Sequence, residues 1–206
     1  MTPILEVEQL HFGYSQRPLF QGLSLQAPPG VTLVRGGDGC GKTSLLRLLA
    51  GQLPALQGCI RLNGVALATD RSAYQQQVFW QNPSTADFDA ITAQQYWACL
   101  RDAYPLWSDA VLTQLTPGLS LQPHMDKPLY MLSTGSKRKV WIAAALACGA
   151  ALTLLDDPLA ALDKTSVDFV LAHLRAAAQA AQRIYVVAHY QALGDVPLVA
   201  TVDLGD

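Results

Sequence analysis

The chain has 206 residues and half of them are apolar, enough to build a substantial core as one compact α/β unit. A net charge of −2 with 15% charged residues gives no basic footprint, which argues against nucleic acid as a partner, and so low a charge suggests that other proteins cover part of the surface. No window approaches the roughly eighteen consecutive apolar residues of a membrane span, and Met1 to Glu6 carries no basic leader or cleavage site, so a cytosolic location is expected.

Residues 4–10 alternate enough to form a strand, and residues 23–27 form a second that ends at Pro28-Pro29-Gly30. With the apolar residues 31–34 they predict an antiparallel β-layer. Next comes Gly36-Gly37-Asp38-Gly39-Cys40-Gly41-Lys42-Thr43, a complete G-x-x-x-x-G-K-T loop between that last strand and the leucine-rich helix sequence 44–50. Glycines let the backbone wrap an anion, so that successive N–H groups and the positive end of the helix point at phosphate oxygens. Lys42 is expected to reach the β- and γ-phosphates and Thr43 to offer a hydroxyl to Mg²⁺. The segment predicts a nucleotide-binding protein.

Cys40, Cys59, Cys99 and Cys148 are widely spaced with no C-x-x-C pair, so neither a zinc site nor a disulfide framework is indicated. Cys40 stands apart because it sits beside Lys42 at a helix N-terminus, where positive potential favours the thiolate.

Further along, residues 58–64 read as a strand entering a turn and residues 77–80 as another strand. From Thr92 to about Pro128 the apolar residues Tyr96, Trp97, Leu100, Tyr104, Val111, Leu112 and Leu115 take helical spacing, interrupted at Pro105 and Pro117-Gly118. Strands return at 151–155 and 184–187, with an alanine-rich helix at 166–181 between them. The first of these runs Leu152-Thr153-Leu154-Leu155-Asp156-Asp157-Pro158, an apolar strand ending in two acids. Asp156 suits a Mg²⁺ held through water, and Asp157 suits the polarisation of an attacking water.

Together with five further features, these motifs make the chain resemble the ATP-binding subunit of an ATP-binding cassette (ABC) transporter. Leu132-Ser133-Thr134-Gly135-Ser136 resembles the family's signature pentapeptide, and Gln81 its Q-loop glutamine. Ala160-Ala161-Leu162-Asp163 resembles the D-loop, His189 the switch histidine, and Tyr14 the aromatic that stacks on adenine, a role that Phe12 could also fill. The resemblance implies a P-loop NTPase core with a mostly parallel sheet, an N-terminal antiparallel β-layer and an α-helical subdomain inserted at about 92–148 of a single domain, 1–206. It implies ATP and Mg²⁺ as cofactors. ATP would be held by Tyr14, residues 36–44 including Ser44, and Ser133, Gly135 and Asp163. Thr43, Gln81 and Asp156 would surround the metal, and Asp157, His189 and Gln81 would carry catalysis.

Ser133 and the Gly135 N–H at a helix start suit an anion independently of the resemblance. In the family that anion is the γ-phosphate on the opposite subunit, so a second ABC subunit, as homodimer or heterodimer, is implied around two ATP molecules. An integral membrane permease would dock on the helical insertion and the loop after Gln81, with Phe88, Ile91, Tyr96 and Trp97 as candidate contacts or core residues. The protein would then lie at the inner face of the cell membrane. Lys137, Arg138 and Lys139 read as a solvated basic helix face. The short chain resembles the stand-alone cassettes of small bacterial exporters, including those linked to cytochrome c maturation.

The sequence departs from the family pattern at three positions. Thr134 and Ser136 replace a glycine and a glutamine of the signature, and hydroxyls near phosphate still donate hydrogen bonds. Asp157 replaces the usual glutamate; a carboxylate displaced by about 1 Å costs on the order of 100-fold in rate. The leading expectation is a transport-coupled ATPase. The alternative is a slow, nucleotide-gated module with a regulatory or assembly role. A P-loop kinase does not account for residues 132–136 or 160–163.

Overall fold

The computed structural model describes residues 4–15, 17–82 and 85–205; residues 1–3 of the segment read for a leader lie outside it. Two sheets share the molecule. The first is antiparallel in the order β2-β1-β4-β5, from β1 (Leu5–Tyr14), β2 (Arg17–Ala27), β4 (Gln57–Leu62) and β5 (Val65–Ala66). The second is parallel throughout, in the order β6-β7-β8-β3-β9, from β3 (Gly30–Arg35), β6 (Val78–Trp80), β7 (Leu152–Asp156), β8 (Ile184–Ala188) and β9 (Leu198–Asp203).

One expectation is corrected here. Residues 31–34 do not belong to the antiparallel layer: β3 runs parallel between β8 and β9. Five of its six residues are buried, with no alternation, as a strand covered on both faces requires. β1 behaves differently, alternating in its first half around the core residues Leu5 and Val7 and then shifting register at Gln9, which takes φ 46°.

The helix α1 (Lys42–Leu49) lies between the sheets, where Leu45, Leu46, Leu48 and Leu49 are fully buried with Leu5, Leu10, Leu62 and Leu152, and the short α2 (Arg71–Gln75) follows β5. The second core cluster contains residues from α3 (Ala93–Ala103), α4 (Asp109–Gly118), α5 (Thr134–Ala147) and α6 (Lys164–Ala180) together with Val31, Leu33, Tyr185 and Val187 of the parallel sheet. Its helices are each capped by a side chain their sequence supplies: Thr92 in a capping box with Gln95, Ser108 to the Val111 N–H, Ser133 to the Ser136 N–H and Asp163 to the Ser166 N–H. Pro105 separates α3 from α4, whereas Pro117 lies inside the last turn of α4, where it removes the N–H that would bond the carbonyl four residues back.

Tyr96 and Trp97 are core residues and not docking contacts. They are 0% and 3% exposed, and the Trp97 Nε1–H donates to the Val140 carbonyl at 3.1 Å. Phe88 and Ile91 are half-buried against the same cluster. Among the described residues no helix is long and apolar enough to cross a membrane.

Candidate nucleotide site

The phosphate loop connects the carboxyl end of β3 to the first residue of α1, the crevice position where parallel α/β sheets bind ligands. Its turns need glycine for two distinct reasons. At Gly36 (φ 151°) a Cβ would stand 2.6 Å from both the Cys40 sulfur and the Gly205 carbonyl oxygen. At Gly41 (φ 108°), the residue that opens α1, it would meet the Phe20 ring at 3.1 Å. Lys42 curls back over the loop and its Nζ donates to the carbonyls of Gly36 (2.7 Å) and Gly37 (2.6 Å), placing an ammonium at the loop's mouth. Cys40 Sγ lies 3.9 Å from that ammonium.

A cleft of about 430 Å³ opens beside the loop, lined by Asp38, Gly39, Gly41, Lys42, Thr43 and Ser44 and, from other elements, by Tyr14, Asp156 and Asp157. Tyr14 ends β1, is half exposed and has its hydroxyl 3.2 Å from Ser44 Oγ. Phe12 meets Tyr14 edge-on from inside the core, at 6% exposure, so of these two rings it is Tyr14 that lines the cleft.

β7 ends at Asp156, whose Oδ2 accepts a 2.7 Å hydrogen bond from the Thr43 hydroxyl. Burial pushes the Asp156 carboxyl above the ordinary carboxylate value, opposed by the Thr43 hydrogen bond and reinforced by the neighbouring Asp157 charge. This hydroxyl and carboxylate are hard oxygen donors side by side at the end of a phosphate loop, a set that suits Mg²⁺ bound with phosphate. The residues therefore fit Mg-ATP.

Asp157 takes φ 46°, and its N–H donates to the Ala188 carbonyl at 2.8 Å. Its Oδ1 lies 2.7 Å from Nδ1 of His189, which is 7% exposed and whose backbone N–H is tied to the Val34 carbonyl of β3. β3, β7 and β8 thus deliver Lys42, Asp156, Asp157 and His189 to one end of the sheet.

Gln81 is not in the cleft. Its Oε1 accepts from the Tyr96 hydroxyl at 2.9 Å, and it borders a smaller recess with Arg138 and Asp156. Ser133, Gly135 and Asp163 do not line the cleft either. Ser133 caps α5, and a Cβ on Gly135 would stand 2.3 Å from the Ala161 carbonyl oxygen, so that turn of α5 packs directly on the segment before Asp163. Asp163 accepts from Lys139 Nζ at 2.6 Å and from the backbone and hydroxyl of Ser166 at 2.9 Å each. Those donors, Lys139 first, hold its carboxyl well below the usual range.

The basic triplet on α5 is not a solvated face. Lys137 pairs with Asp89 at 2.6 Å, Arg138 Nη1 donates to the Asp157 carbonyl at 2.5 Å, and Lys139 pairs with Asp163. Sequence reasoning also missed Arg17, Leu19 and Tyr190, which line the cleft. Arg17 sits opposite Tyr14 in the hairpin register, and the Tyr190 ring packs 4.6 Å from that of His189, so adjacency to Tyr14 and His189 was the available signal.

The family model for the ABC transporter matches residues 20–160. The chain is 34% identical over 165 residues to the cytochrome c biogenesis ATP-binding export protein CcmA of Legionella pneumophila (strain Lens), covering 80% of this chain and 82% of that one. It is 31% identical to the protein of the same name from Pseudomonas fluorescens (strain Pf0-1), over 100% of this chain and 98% of that one. Its fold matches a putative ABC transporter (ATP-binding protein) from Pyrococcus furiosus, with TM-score 0.80 and 23% identity over 98% and 97% of the two chains. A bacterial Atm1-family ABC exporter with ATP bound gives TM-score 0.77 at 23% identity, covering 92% of this chain and 35% of that one. The chain belongs to the ABC transporter family, as one of its ATP-binding subunits.

Proposed function

We propose that this chain hydrolyses Mg-ATP in a head-to-tail sandwich with a second cassette, as a homodimer, and that opening and closing of the sandwich drives a separate membrane-spanning subunit. The observation that carries this reading is the split of the anion-binding groups. Lys42, Thr43, Asp156 and Asp157 surround one cleft, while the capped N-terminus of α5 with Ser133 and Gly135 lies outside it. A single copy leaves a phosphate cleft open on one side and presents a second anion site with nothing of its own to bind. Two copies related head to tail satisfy both.

In the sandwich, Lys42 and the loop N–H groups bind the β- and γ-phosphates, and Tyr14 stacks on the base. Thr43 and Asp156 would hold Mg²⁺, which when bound would offset charge on the phosphate oxygens. Asp157 orients the attacking water, steadied by His189. Gln81, held by the Tyr96 hydroxyl and bordering a recess with Asp156, would complete the metal's surroundings. Residues 92–148 act as a helical subdomain within one domain, 1–206, and together with the loop after Gln81 receive the membrane subunit, so the protein works at the inner face of the membrane. The name these relatives carry supports an export system of cytochrome c biogenesis as the setting.

The test is steady-state Mg-ATP hydrolysis against protein concentration, with Lys42→Ala as the blank. A rate rising more than linearly supports a dimer with a competent Asp157. Binding without turnover, alone and with the membrane subunit, favours the second reading, a nucleotide-gated module; the aspartate in place of glutamate at position 157 is the feature that speaks for it.

A further inference from the structure

Asp157 occupies an unfavourable backbone position. It is a non-glycine residue in the left-handed region at φ 46°, and it precedes Pro158, whose ring further restricts the residue before it. Such a conformation persists only where the surroundings hold it. The tethers are identifiable. The Asp157 N–H is bound to the Ala188 carbonyl at the end of β8, and the carboxylate to His189. The carbonyl accepts from the Ala160 N–H at 3.2 Å and from Arg138 Nη1 at 2.5 Å. Of these, only Arg138 reaches in from α5, the helix whose N-terminus carries Ser133 and Gly135.

Arg138 is placed to do more than brace a loop. It shares a recess with Gln81 and Asp156. Its Nε is buried with no partner among the described residues, so its donors are not saturated by the fold. The residues on either side are engaged elsewhere, Lys137 with Asp89 and Lys139 with Asp163. Successive helix positions turn by about 100°, so three consecutive residues address three different loops.

We propose that Arg138 is a positioning residue for the hydrolytic step: it fixes the strained backbone of Asp157, and thereby the carboxylate, to the helix that carries Ser133 and Gly135. The inference rests on the reading of Asp157 as the group that orients water. A shift of α5 on engaging the partner's nucleotide is transmitted through one guanidinium to the Asp157 carbonyl. ATP binding to the chain's own phosphate loop does not pass through this contact.

The experiment compares Arg138→Ala, Arg138→Gln and Arg138→Lys in the parent and in an Asp157→Asn background, reading kcat, nucleotide Kd by fluorescence titration and the side-chain ¹⁵N signals of His189. Removing the guanidinium is expected to lower kcat by about 10- to 100-fold, the range a misplacement of up to about 1 Å produces. Kd should stay within about twofold, because Arg138 makes no contact with the phosphate loop, and a donor at 138 (Lys or Gln) should recover part of the rate. In the Asp157→Asn background the same changes should add almost nothing. A kcat unchanged within twofold, or effects that multiply in the double variant, overturns the proposal. If Arg138→Ala does not fold, the Gln and Lys variants carry the comparison. If the parent itself shows no turnover above Lys42→Ala, the functional reading fails separately and the His189 signals decide. A shift in Arg138→Gln supports the tether, and an unmoved spectrum overturns it.

Discussion

His189 Nδ1 sits 2.7 Å from Asp157 Oδ1, and this contact joins the ends of two neighbouring parallel strands, β8 and β7. Because the histidine is nearly buried and its backbone is bonded to β3, the ring has little freedom, and it sets where the aspartate carboxylate rests. With Nδ1 committed to Asp157, Nε2 is the ring's remaining polar atom.

This geometry makes the two residues a unit. Asp157→Asn is expected to lower kcat by about 100-fold or more, the usual loss for a positioned general base. Asp157→Glu should hydrolyse ATP at least as fast as the parent, since the longer side chain brings the carboxylate closer to the γ-phosphate. His189→Ala should produce a loss similar to that of Asp157→Asn, and the double variant should lose little more than either. Single-turnover hydrolysis at saturating Mg-ATP measures all four, and an Asp157→Asn rate equal to the parent's rejects the assignment.

Asp156 predicts a pH dependence. Its carboxyl is raised in the folded chain, chiefly by burial, so without nucleotide the charged form is disfavoured relative to the unfolded state. The resulting penalty is absent in acid, where both states are protonated, and appears as pH rises through the interval between the ordinary and the raised value. Asp156→Asn should therefore raise Tm at neutral pH, by about 2–4 °C for each kcal/mol relieved, and the gain should vanish in acid. Loading with Mg-ATP requires the charged form. Its affinity should fall with acidification from a pH above the usual carboxylate range, and binding should release protons, which calorimetry in buffers of different ionisation enthalpy detects.

A stability prediction concerns a residue with no role in the site. Arg183 precedes β8, and its Nε donates to the Ala150 carbonyl at 2.7 Å, Nη1 to Leu146 at 3.2 Å and Nη2 to the buried Thr153 hydroxyl at 2.7 Å. It thereby satisfies carbonyls at the C-terminal end of α5, while its guanidinium carbon lies 5.1 Å from the Tyr185 ring centroid. Arg183→Met removes the side-chain donor from the Ala150 and Leu146 carbonyls and leaves the Thr153 hydroxyl with only the 4.0 Å contact to Cys148 Sγ, and should cost about 3 kcal/mol. Urea unfolding measures the loss. Arg183→Lys should recover less than half of it, because one ammonium cannot span the same acceptors.

The sequence was most readable where chemistry forces a local pattern. The phosphate loop and the acidic end of β7 fall where residue type and spacing place them, because a glycine turn and a buried strand each leave a one-dimensional trace, whereas His189, just past β8, was legible only through the family resemblance. Long-range partners leave none. Residues 31–34 are as apolar as an antiparallel core strand, and only pairing with β8 and β9 reveals a parallel one. β9 itself went unread although Leu198-Val199-Ala200-Thr201-Val202 is apolar and β-branched; as an edge strand it buries none of its six residues, and only its pairing with β3 identifies it. Lys137-Arg138-Lys139 looked like a solvated face because their acceptors, Asp89, the Asp157 carbonyl and Asp163, lie 48, 19 and 24 residues away.

Cys40 supplies the last prediction. Its sulfur lies 3.9 Å from the Lys42 ammonium, and a Cβ on Gly36 would stand 2.6 Å from it, so the partly exposed thiol packs closely against the backbone of the phosphate loop. An alkylating reagent there must displace the loop backbone; overpacking of this kind costs about 1–3 kcal/mol. That corresponds to about a 5- to 150-fold loss of nucleotide affinity. Bound ATP should shield Cys40 from the reagent while leaving the exposed Cys99 to react at an unchanged rate, which gives an internal control. Peptide mapping after labelling with and without Mg-ATP reads both sites in one sample. Cys40→Ala should bind ATP normally and lose its sensitivity to the reagent. If that variant is inactivated as readily as the parent, the sensitive thiol lies elsewhere and the phosphate loop is not where the reagent acts.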